Sequence, residues 1–577
     1  MQLAVWAPLA SKVAAVVGSE PFAMSRSDAG WWRLERDFGT SQIDYKFRVN
    51  DQQAFPDPRS PWQPHGVHGA SRTVDHSQFR WSDAGFQARP LSSALIYELH
   101  IGTFTPAGTF EAAIERLDHL CELGVTHVEL MPVAEFPGRF GWGYDGVYQF
   151  APRHAYGGPE GLKRLVDAAH ARGLAVLLDV VYNHLGPCGN YLSQFGPYFT
   201  ERHHTPWGAA LNFDGVYSDD VRRFFCDNAL MWLRDYHFDG LRLDAVHAIV
   251  DTSAIPFLEQ LASEVAELEA HLGRRLVVIA ESDLNDPRLV TAREAGGYGL
   301  DAQWSDDFHH ALHTVITGEN QGYYSDFGRL ADLAATFEHP YLYVGQHAPH
   351  RRRRHGRKAM GLSGHRFLAY AQNHDQIGNR ALGQRIAQLV SPARAWIAAG
   401  LVFLSPYVPM LFQGEEWGAT APFQFFAEFP DDPELNRAVA TGRKKEFEAF
   451  GWSPHEIPDP SSIQTFERSK LDWNELTHEP HASMLGWHRE LIELRRRYPD
   501  LSDGRLERTH TRFDEEQRWL VIERGALTVV ANFADQWRTI PMSADRPSQV
   551  VLSSLPGATE VSPGEIHLRP DCLVVLG

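Results

Sequence analysis

The sequence predicts an α/β chain: a closed (β/α)8 barrel of the TIM type with a β-sandwich before it and another after it. Three observations carry this expectation. The middle of the chain alternates short apolar runs with segments of helical period, which implies parallel strands covered by helices. Both ends read as short apolar and β-branched runs parted by turn residues. Several central runs end on acids, as barrel strands do when their C-terminal ends meet at one mouth. The expected divisions are an N-terminal sandwich over 1–91, the barrel with loop insertions over 92–500 and a C-terminal sandwich over 501–577.

The N-terminal strands are expected at Leu3–Trp6, Lys12–Val17, Trp31–Leu34 and Asp44–Val49, followed by a Pro-rich connector at Phe55–Pro64. Barrel strands follow at Leu95–His100, Val125–Val133, Leu174–Val181, Gly240–Asp244, Leu276–Ala280, Arg366–Ala371 and Val408–Phe412. The weakly patterned Gly299–Gln303 makes eight. Between them, Phe110–Leu123 carries Ile114, Leu117, Leu120 and Leu123 at helical spacing and stops at Gly124, a natural helix C-cap. Further helices are expected over Glu160–Arg172, Ser218–His237 and Ala254–Leu272. A doubly wound open sheet is the alternative, but no Gly-rich phosphate loop follows an early strand. After residue 500, Trp519–Gly525 and Leu527–Asn532 read as a hairpin, with Val550–Leu552 and Cys572–Leu576 continuing the β pattern.

Composition narrows the function classes. A chain of 577 residues needs more than one core. Its formal net charge of −19 argues against nucleic acid or an anionic membrane as partner. The one basic run, Arg351–Arg354 continuing to Lys358, reads as a solvated loop. Cys121, Cys188, Cys226 and Cys572 are scattered without zinc-like spacing, which suggests free thiols in a reducing, cytoplasmic setting. The N-terminus has no signal-peptide pattern, and no apolar run is long enough for a membrane span. Nothing in the composition sets an oligomeric state.

The chemistry is concentrated at the strand ends. One strand runs into Asp179, Asn183 and His184, a second into Asp244, a third into Glu281 and a fourth into His374 and Asp375. In a barrel these groups converge on one cavity. Within Gly240–Asp244, Leu241 and Leu243 point one way, while Gly240, Arg242 and Asp244 point the other. On that stretch alone, Arg242 and Asp244 are as readily a structural ion pair as a functional one. Several like charges at one mouth tip the balance, because they raise one another's pKa and destabilise the fold. Metal-dependent hydrolysis and glycosyl transfer both use such acids. No HExxH spacing occurs, and His203–His204 and His309–His310 are adjacent pairs that point apart. Arg242 beside Asp244 favours an ionised carboxylate. Glu281 follows the apolar run Val277–Ala280, whose desolvation favours a protonated one. That difference makes Asp244 the candidate nucleophile and Glu281 the candidate acid/base.

The segments Asp179–His184, Gly240–Asp244, Glu281 and Asn373–Asp375 resemble the four signature regions of the α-amylase family, glycoside hydrolase family 13, in the family's order. Trp142–Asp145 is similar to the family's motif after the second strand. The resemblance covers about 92–500 and implies Asp244 as nucleophile, Glu281 as general acid/base and Asp375 as transition-state stabiliser. It also implies that Tyr144, His184, Arg242 and His374 line the subsite of the reacting sugar, Tyr144 by stacking and the histidines by bonding hydroxyls. The reaction implied is retaining, with carboxyls about 5–5.5 Å apart.

Three further stretches, Glu281–Arg288, Trp304–His310 and Gly442–Phe447, resemble the trehalose-releasing hydrolases of that family. They imply cleavage of the α-1,4 bond next to the terminal trehalose of maltooligosyltrehalose, with related α-glucans as partners. Debranching and branching enzymes of the family are the alternatives. His247 and Asp283, just past the nucleophile and the acid, are candidates for acceptor-side recognition, and ordinary loop-start polar residues weigh equally. Trp207, Phe213, Tyr217 and Phe423–Phe426 are candidate stacking residues, with loop packing at least as good a reading for each. Asn183 matches a calcium ligand of many amylases, but the rest of such a site is not evident. No metal or other cofactor is expected.

Overall fold

The computed structural model describes residues 2–40, 42–205, 208–448, 457–543, 546–557 and 559–577. Eight strands close into one parallel barrel in chain order: β1 (Ile96–Leu99), β2 (His127–Leu130), β3 (Ala175–Val180), β4 (Gly240–Leu243), β5 (Val277–Ala280), β6 (Ala302–Trp304), β7 (Phe367–Ala369) and β8 (Val408–Phe412). Closure comes from β8 against β1, with Met410 beside Ile96. Each strand overlaps its expected segment. The weakly patterned sixth begins at Ala302 and runs on to Trp304.

Alternation along the strands separates two layers. Leu177, Val277, Ile279, Trp304, Leu368 and Met410 pack into one buried cluster inside the barrel. Val176, Leu178, Leu241, Leu243 and Val278 join the larger cluster that holds the covering helices. Arg242 lies on the inner side of β4, in register with Asp179 of β3 and Ile279 of β5. Gly240 starts that strand because a Cβ there would sit 2.4 Å from the carbonyl oxygen of Val277.

Helices Gly158–His170, Ser218–Asp235 and Phe257–Leu272 cover the strands. The single helix expected over Phe110–Leu123 is two, Phe110–Ile114 and Leu117–Leu123. The break falls at Arg116, which has φ −105° and ψ −2° and whose guanidinium lies over the Trp473 ring. Gly124 ends the second segment in the left-handed conformation, with its N–H on the carbonyls of Leu120 and Cys121.

The flanking β regions each stack two antiparallel sheets. Before the barrel, Gln2–Trp6 pairs with Trp31–Glu35, and Val13–Val17 pairs with Asp44–Val49. This part docks on helix Ser218–Asp235, where Arg59 pairs with Asp227 at 2.7 Å and Trp31 Nε1 donates to Asp220. After the barrel, the expected hairpin Trp519–Arg524 with Leu527–Asn532 lies in a five-stranded sheet beside Cys572–Leu576. Trp519, Val521, Val530, Val574 and Leu576 pack against Ile540, Ile566 and Leu568 of the second sheet.

The basic run is exposed at Arg352, Arg353 and Arg354, as expected, but it belongs to a hairpin rather than a loop. Val344–Ala348 and Arg353–Gly356 form an antiparallel hairpin, and Arg351 in its turn reaches back to the carboxylate of Asp283. A partner 68 residues away in sequence neutralises a charge that local reading leaves to water. None of the helices is long and apolar enough to cross a membrane among the described residues.

Candidate active site

The C-terminal ends of the strands bring the predicted residues to one cavity of about 540 Å³. Tyr144, His184, Asp244, His247, Glu281, His374 and Asp375 all line it, with Trp142, Phe425 and Arg443 forming further wall. Arg242 lies beneath the floor, fully buried over the Trp304 ring at 4.3 Å. Its Nη1 donates to Asp179 Oδ2 at 2.7 Å and to Asp244 Oδ1 at 3.0 Å. Its Nη2 lies 3.2 Å from Glu281 Oε2, a charge contact whose angle falls short of a hydrogen bond. One guanidinium therefore ties both candidate acids together, and the ion-pair and functional readings of Arg242 and Asp244 describe the same contact.

The two acids differ in their remaining partners. Asp244 Oδ2 accepts from Asn183 Nδ2 at 2.7 Å, and its backbone carbonyl accepts from the same amide. Asn183 is thus committed to the candidate nucleophile and to His184. Glu281 Oε2 accepts from the backbone N–H of Ala245 at 2.6 Å. Ala245 has φ +39°, a left-handed turn directly after the nucleophile that aims this N–H at the acid. Burial holds the Glu281 carboxyl well above the ordinary range; the Arg242 charge opposes this, and Asp244 and Asp375 add to it. Asp375 is 40% exposed and sits at the start of the short helix His374–Gly378. A Cβ on Gly378 would fall 2.0 Å from the Trp142 ring, so glycine lets this helix approach the cavity wall.

Tyr144 stacks on His374 with ring centroids 5.2 Å apart, and its Oη donates to Asp179 Oδ2 at 2.5 Å. His184 places its ring nitrogens against Asn183 Oδ1 and the Tyr144 carbonyl, and burial pushes its imidazole toward the neutral form. Asp179 is pushed up to about 6 by burial, against the pull of Arg242.

Asp283 does not itself line the cavity; its Oδ1 lies 3.8 Å from His247 Nδ1, and its Oδ2 accepts from Arg351 Nη1 at 2.9 Å. Burial raises the Asp283 carboxyl, but the charges of His247 and Arg351 outweigh it and leave a net lowering. The motif Trp304–His310 supports this cluster. Asp307 accepts from Asn285 Nδ2 and from the backbone N–H of Leu342, which roots the arm that carries Arg351. Asp306 accepts from Tyr370 Oη at 2.6 Å, and burial pushes its carboxyl up to about 7. Arg443, on helix Pro433–Glu448, donates to the Gly378 carbonyl and lies over Phe425. Side chains from Glu446 onward in that helix lie outside the described residues.

The candidate stacking residues fare differently. Phe213 is 1% exposed and packs between Phe225 and Phe257, so it is loop core. Tyr217 packs on Trp6 of the N-terminal region. Trp207 lies outside the described residues. Phe423 and Phe426 are fully buried, and Phe425 alone of that segment's aromatics lines the cavity. Sequence reading missed Glu98 on β1, which bonds His374, and Arg351. A signal for Glu98 existed: an acid inside the apolar run Ile96–Leu99. Among the described residues, no group of three His, Cys, Asp or Glu is placed to hold a metal ion.

The family described as "Alpha amylase, catalytic domain" matches residues 70–202, and "Domain of unknown function (DUF3459)" matches residues 504–574. The chain is 51% identical over 530 residues to a malto-oligosyltrehalose trehalohydrolase from Arthrobacter ramosus, covering 91% of each chain. It is 49% identical over 547 residues to one from Mycobacterium tuberculosis, covering 94% of each. A solved structure of a putative α-amylase from Salmonella typhimurium superposes with a TM-score of 0.90 at 36% identity, covering 100% of this chain and 97% of that one. With the barrel, the flanking β regions and a half or so of the residues shared over nearly the full length, the chain belongs to the malto-oligosyltrehalose trehalohydrolase family, within the α-amylase family.

Proposed function

We propose that this protein hydrolyses the α-1,4-glucosidic bond next to the terminal trehalose unit of maltooligosyltrehalose, releasing trehalose and a maltooligosaccharide with retention at the cleaved anomeric carbon. The observation that carries the chemistry is the pair Asp244 and Glu281 on one guanidinium in different surroundings. Asp244 keeps two charge-stabilising donors, whereas the burial of Glu281 favours its protonated form. That is the division of labour between a nucleophile and a general acid.

Glu281 donates its proton to the glycosidic oxygen as the C–O bond breaks, so trehalose leaves as a neutral alcohol. Asp244 attacks the anomeric carbon and forms a β-glycosyl ester. Glu281, now a carboxylate, takes a proton from water. The water oxygen attacks the same carbon and Asp244 departs. Two inversions give net retention. Asp375 and Tyr144 face the sugar between these acids. His247, backed by Asp283 and Arg351, supplies the acceptor wall, where the 1,1-linked leaving group presents a different outline from an ordinary glucan. A reducing cytoplasmic setting suits the four cysteines, all free thiols.

The test is product analysis on maltopentaose and on its trehalose-ended counterpart. Rapid release of free trehalose from the second substrate alone is expected. Equal cutting of both makes the protein an ordinary amylase, and chain transfer with no gain in reducing ends makes it a branching enzyme. Asp244→Ala is expected to lower kcat by on the order of 10⁴-fold or more, and near-normal turnover in that variant removes the mechanism.

A further inference from the structure

A residue outside every expected set touches the centre of the site. Glu98, at the end of β1, is 1% exposed. Its Oε2 accepts from the backbone N–H of His374 at 3.1 Å, and its Oε1 contacts His374 Nδ1. The other ring nitrogen, Nε2, lies 2.9 Å from Tyr144 Oη and 3.5 Å from Asp375 Oδ1.

The proton directions in this chain are constrained. Tyr144 has one hydroxyl proton, and the 2.5 Å contact commits it to Asp179 Oδ2. Asp179 also receives Arg242 Nη1–H, so its oxygen is an acceptor. Tyr144 Oη therefore offers only lone pairs to His374, and Nε2 must carry a proton. On the opposite side, Glu98 already accepts the backbone N–H with its second oxygen, and the ring contact on its first is that of a carboxylate facing an Nδ1–H.

We propose that Glu98 is a positioning residue whose carboxylate keeps His374 as an imidazolium, with Nδ1–H on Glu98 and Nε2–H on Tyr144. The assignment rests on the reading of this cavity as the reacting site. Its consequence is a second fixed cation beside Arg242. The imidazolium faces Asp375, and through Tyr144 it fixes the ring against which the sugar stacks. A neutral His374 would lose one end of the chain and leave Tyr144 free to turn.

The surroundings fit this charge. Glu98 comes from β1, Glu129 from β2, Asp179 from β3, Arg242 from β4 and Asp375 from the residue after His374. Tyr144 lies in the loop after β2, and His100 lies just past Glu98. Burial alone lowers the His374 pKa, but the charges of Glu98 and Asp375 overcome it and bring it to about 9. Glu129 is fully buried with neither oxygen bonded, and burial, with the Glu98 and Asp179 charges, holds it well above the carboxylate range. His100 is pushed down to about 3 by burial. With Glu129 and His100 uncharged, Glu98 is the carboxylate in direct contact with His374 Nδ1.

The test follows His374 protonation by NMR in histidine-labelled protein, with the signal assigned by its loss in His374→Asn. In the wild type the ring stays doubly protonated through about pH 8, above the ordinary histidine value of about 6.5. In Glu98→Gln, the same size and still a hydrogen-bond partner, it is expected to titrate at or below about 6.5. The kcat of Glu98→Gln should fall by roughly tenfold or more with KM little changed, and Glu98→Asp should recover part of it. A neutral ring in the wild type at about pH 7 overturns the assignment, as does an unchanged titration in Glu98→Gln. If Asp244→Ala is inactive while Glu98→Gln keeps wild-type kcat and titration, this inference alone fails. If Asp244→Ala is active, the reading of the cavity fails.

Discussion

Glu281 shows how one carboxyl is given a task by its surroundings. It follows the buried strand residues Val277–Ala280, and desolvation favours its protonated form even though a guanidinium stands 3.2 Å away. Burial thus favours the protonated form that a general acid requires, and that form is lost as pH rises through the raised value. Glu281→Gln is expected to lower kcat/KM on maltooligosyltrehalose by roughly 10²–10⁴-fold. On a glycosyl fluoride, whose departure needs no proton, the glycosylation step should be largely spared, and a pre-steady-state burst of fluoride reports it. Equal losses on both substrates would place the acid elsewhere. Asp244 was legible because a strand's alternation puts it on the same side as Arg242. Ala245 was not, since nothing in its side chain announces a left-handed backbone that aims an N–H at Glu281.

At the scale of an element, the hairpin Val344–Gly356 links the segment around Asp307 to Asp283. Its root is Asp307, bonded to the Leu342 N–H, and its tip is Arg351 on Asp283. Arg351 and Asp283 are each about one-third exposed, so their mutual attraction is partly screened. What Arg351 does in the structure is fix Asp283, through its carboxylate and its backbone carbonyl. Arg351→Ala should raise KM for the trehalose-ended substrate several-fold, on the order of 1 kcal/mol, with a smaller effect on kcat. Steady-state kinetics on the two maltooligosaccharides reads this as a loss of preference. An unchanged KM ratio would assign Arg351 to stability alone. The basic run looked like a loop because its counter-charge is remote in sequence, and the same remoteness hid the role of the two acids in Trp304–His310.

For the whole molecule, a buried cluster holds the segment before β1 to the base of the barrel. His170, fully buried, lies 2.7 Å from Asp83 of that segment and 2.9 Å from Asp239, the residue before β4. His237 also reaches Asp83, and Phe86 and Trp81 stack on His170 and His237. Burial lowers the His170 pKa, but the hydrogen bonds to Asp239 and Asp83 outweigh it and leave the value raised. Burial likewise raises Asp83, and its bonds to His170 and His237 take it below its ordinary value. The His170 contribution is therefore full below about pH 6.5 and is lost as pH rises through the raised value; the Asp83 contribution is present above about pH 4 and is lost at lower pH. His170→Asn is expected to cost about 3–5 kcal/mol by leaving buried carboxylates short of a partner. It should also flatten the fall of the melting temperature between neutral and alkaline pH. A melting curve with the wild-type slope would show that the cluster does not carry that dependence.

Local sequence patterns suffice for the architecture and for naming Asp244, Glu281 and Asp375 as the candidate acids. Both are written in local patterns: period two in β1–β8, helical period in the covering segments, and acids placed just past strand ends. A barrel then brings those ends together whatever the loops do, so Asp244, Glu281 and Asp375 share a cavity. What holds them comes from contacts made across long stretches of chain. Glu98 and His374 are 276 residues apart, and Arg351 and Asp283 are 68 apart. Phe213 and Phe425 are both aromatics in loops, yet one is sealed in core and the other lines the site. The physical reason is the same in each case. Periodicity reports which side of an element is buried, whereas the protonation state and exposure of a side chain are set by neighbours that arrive through space.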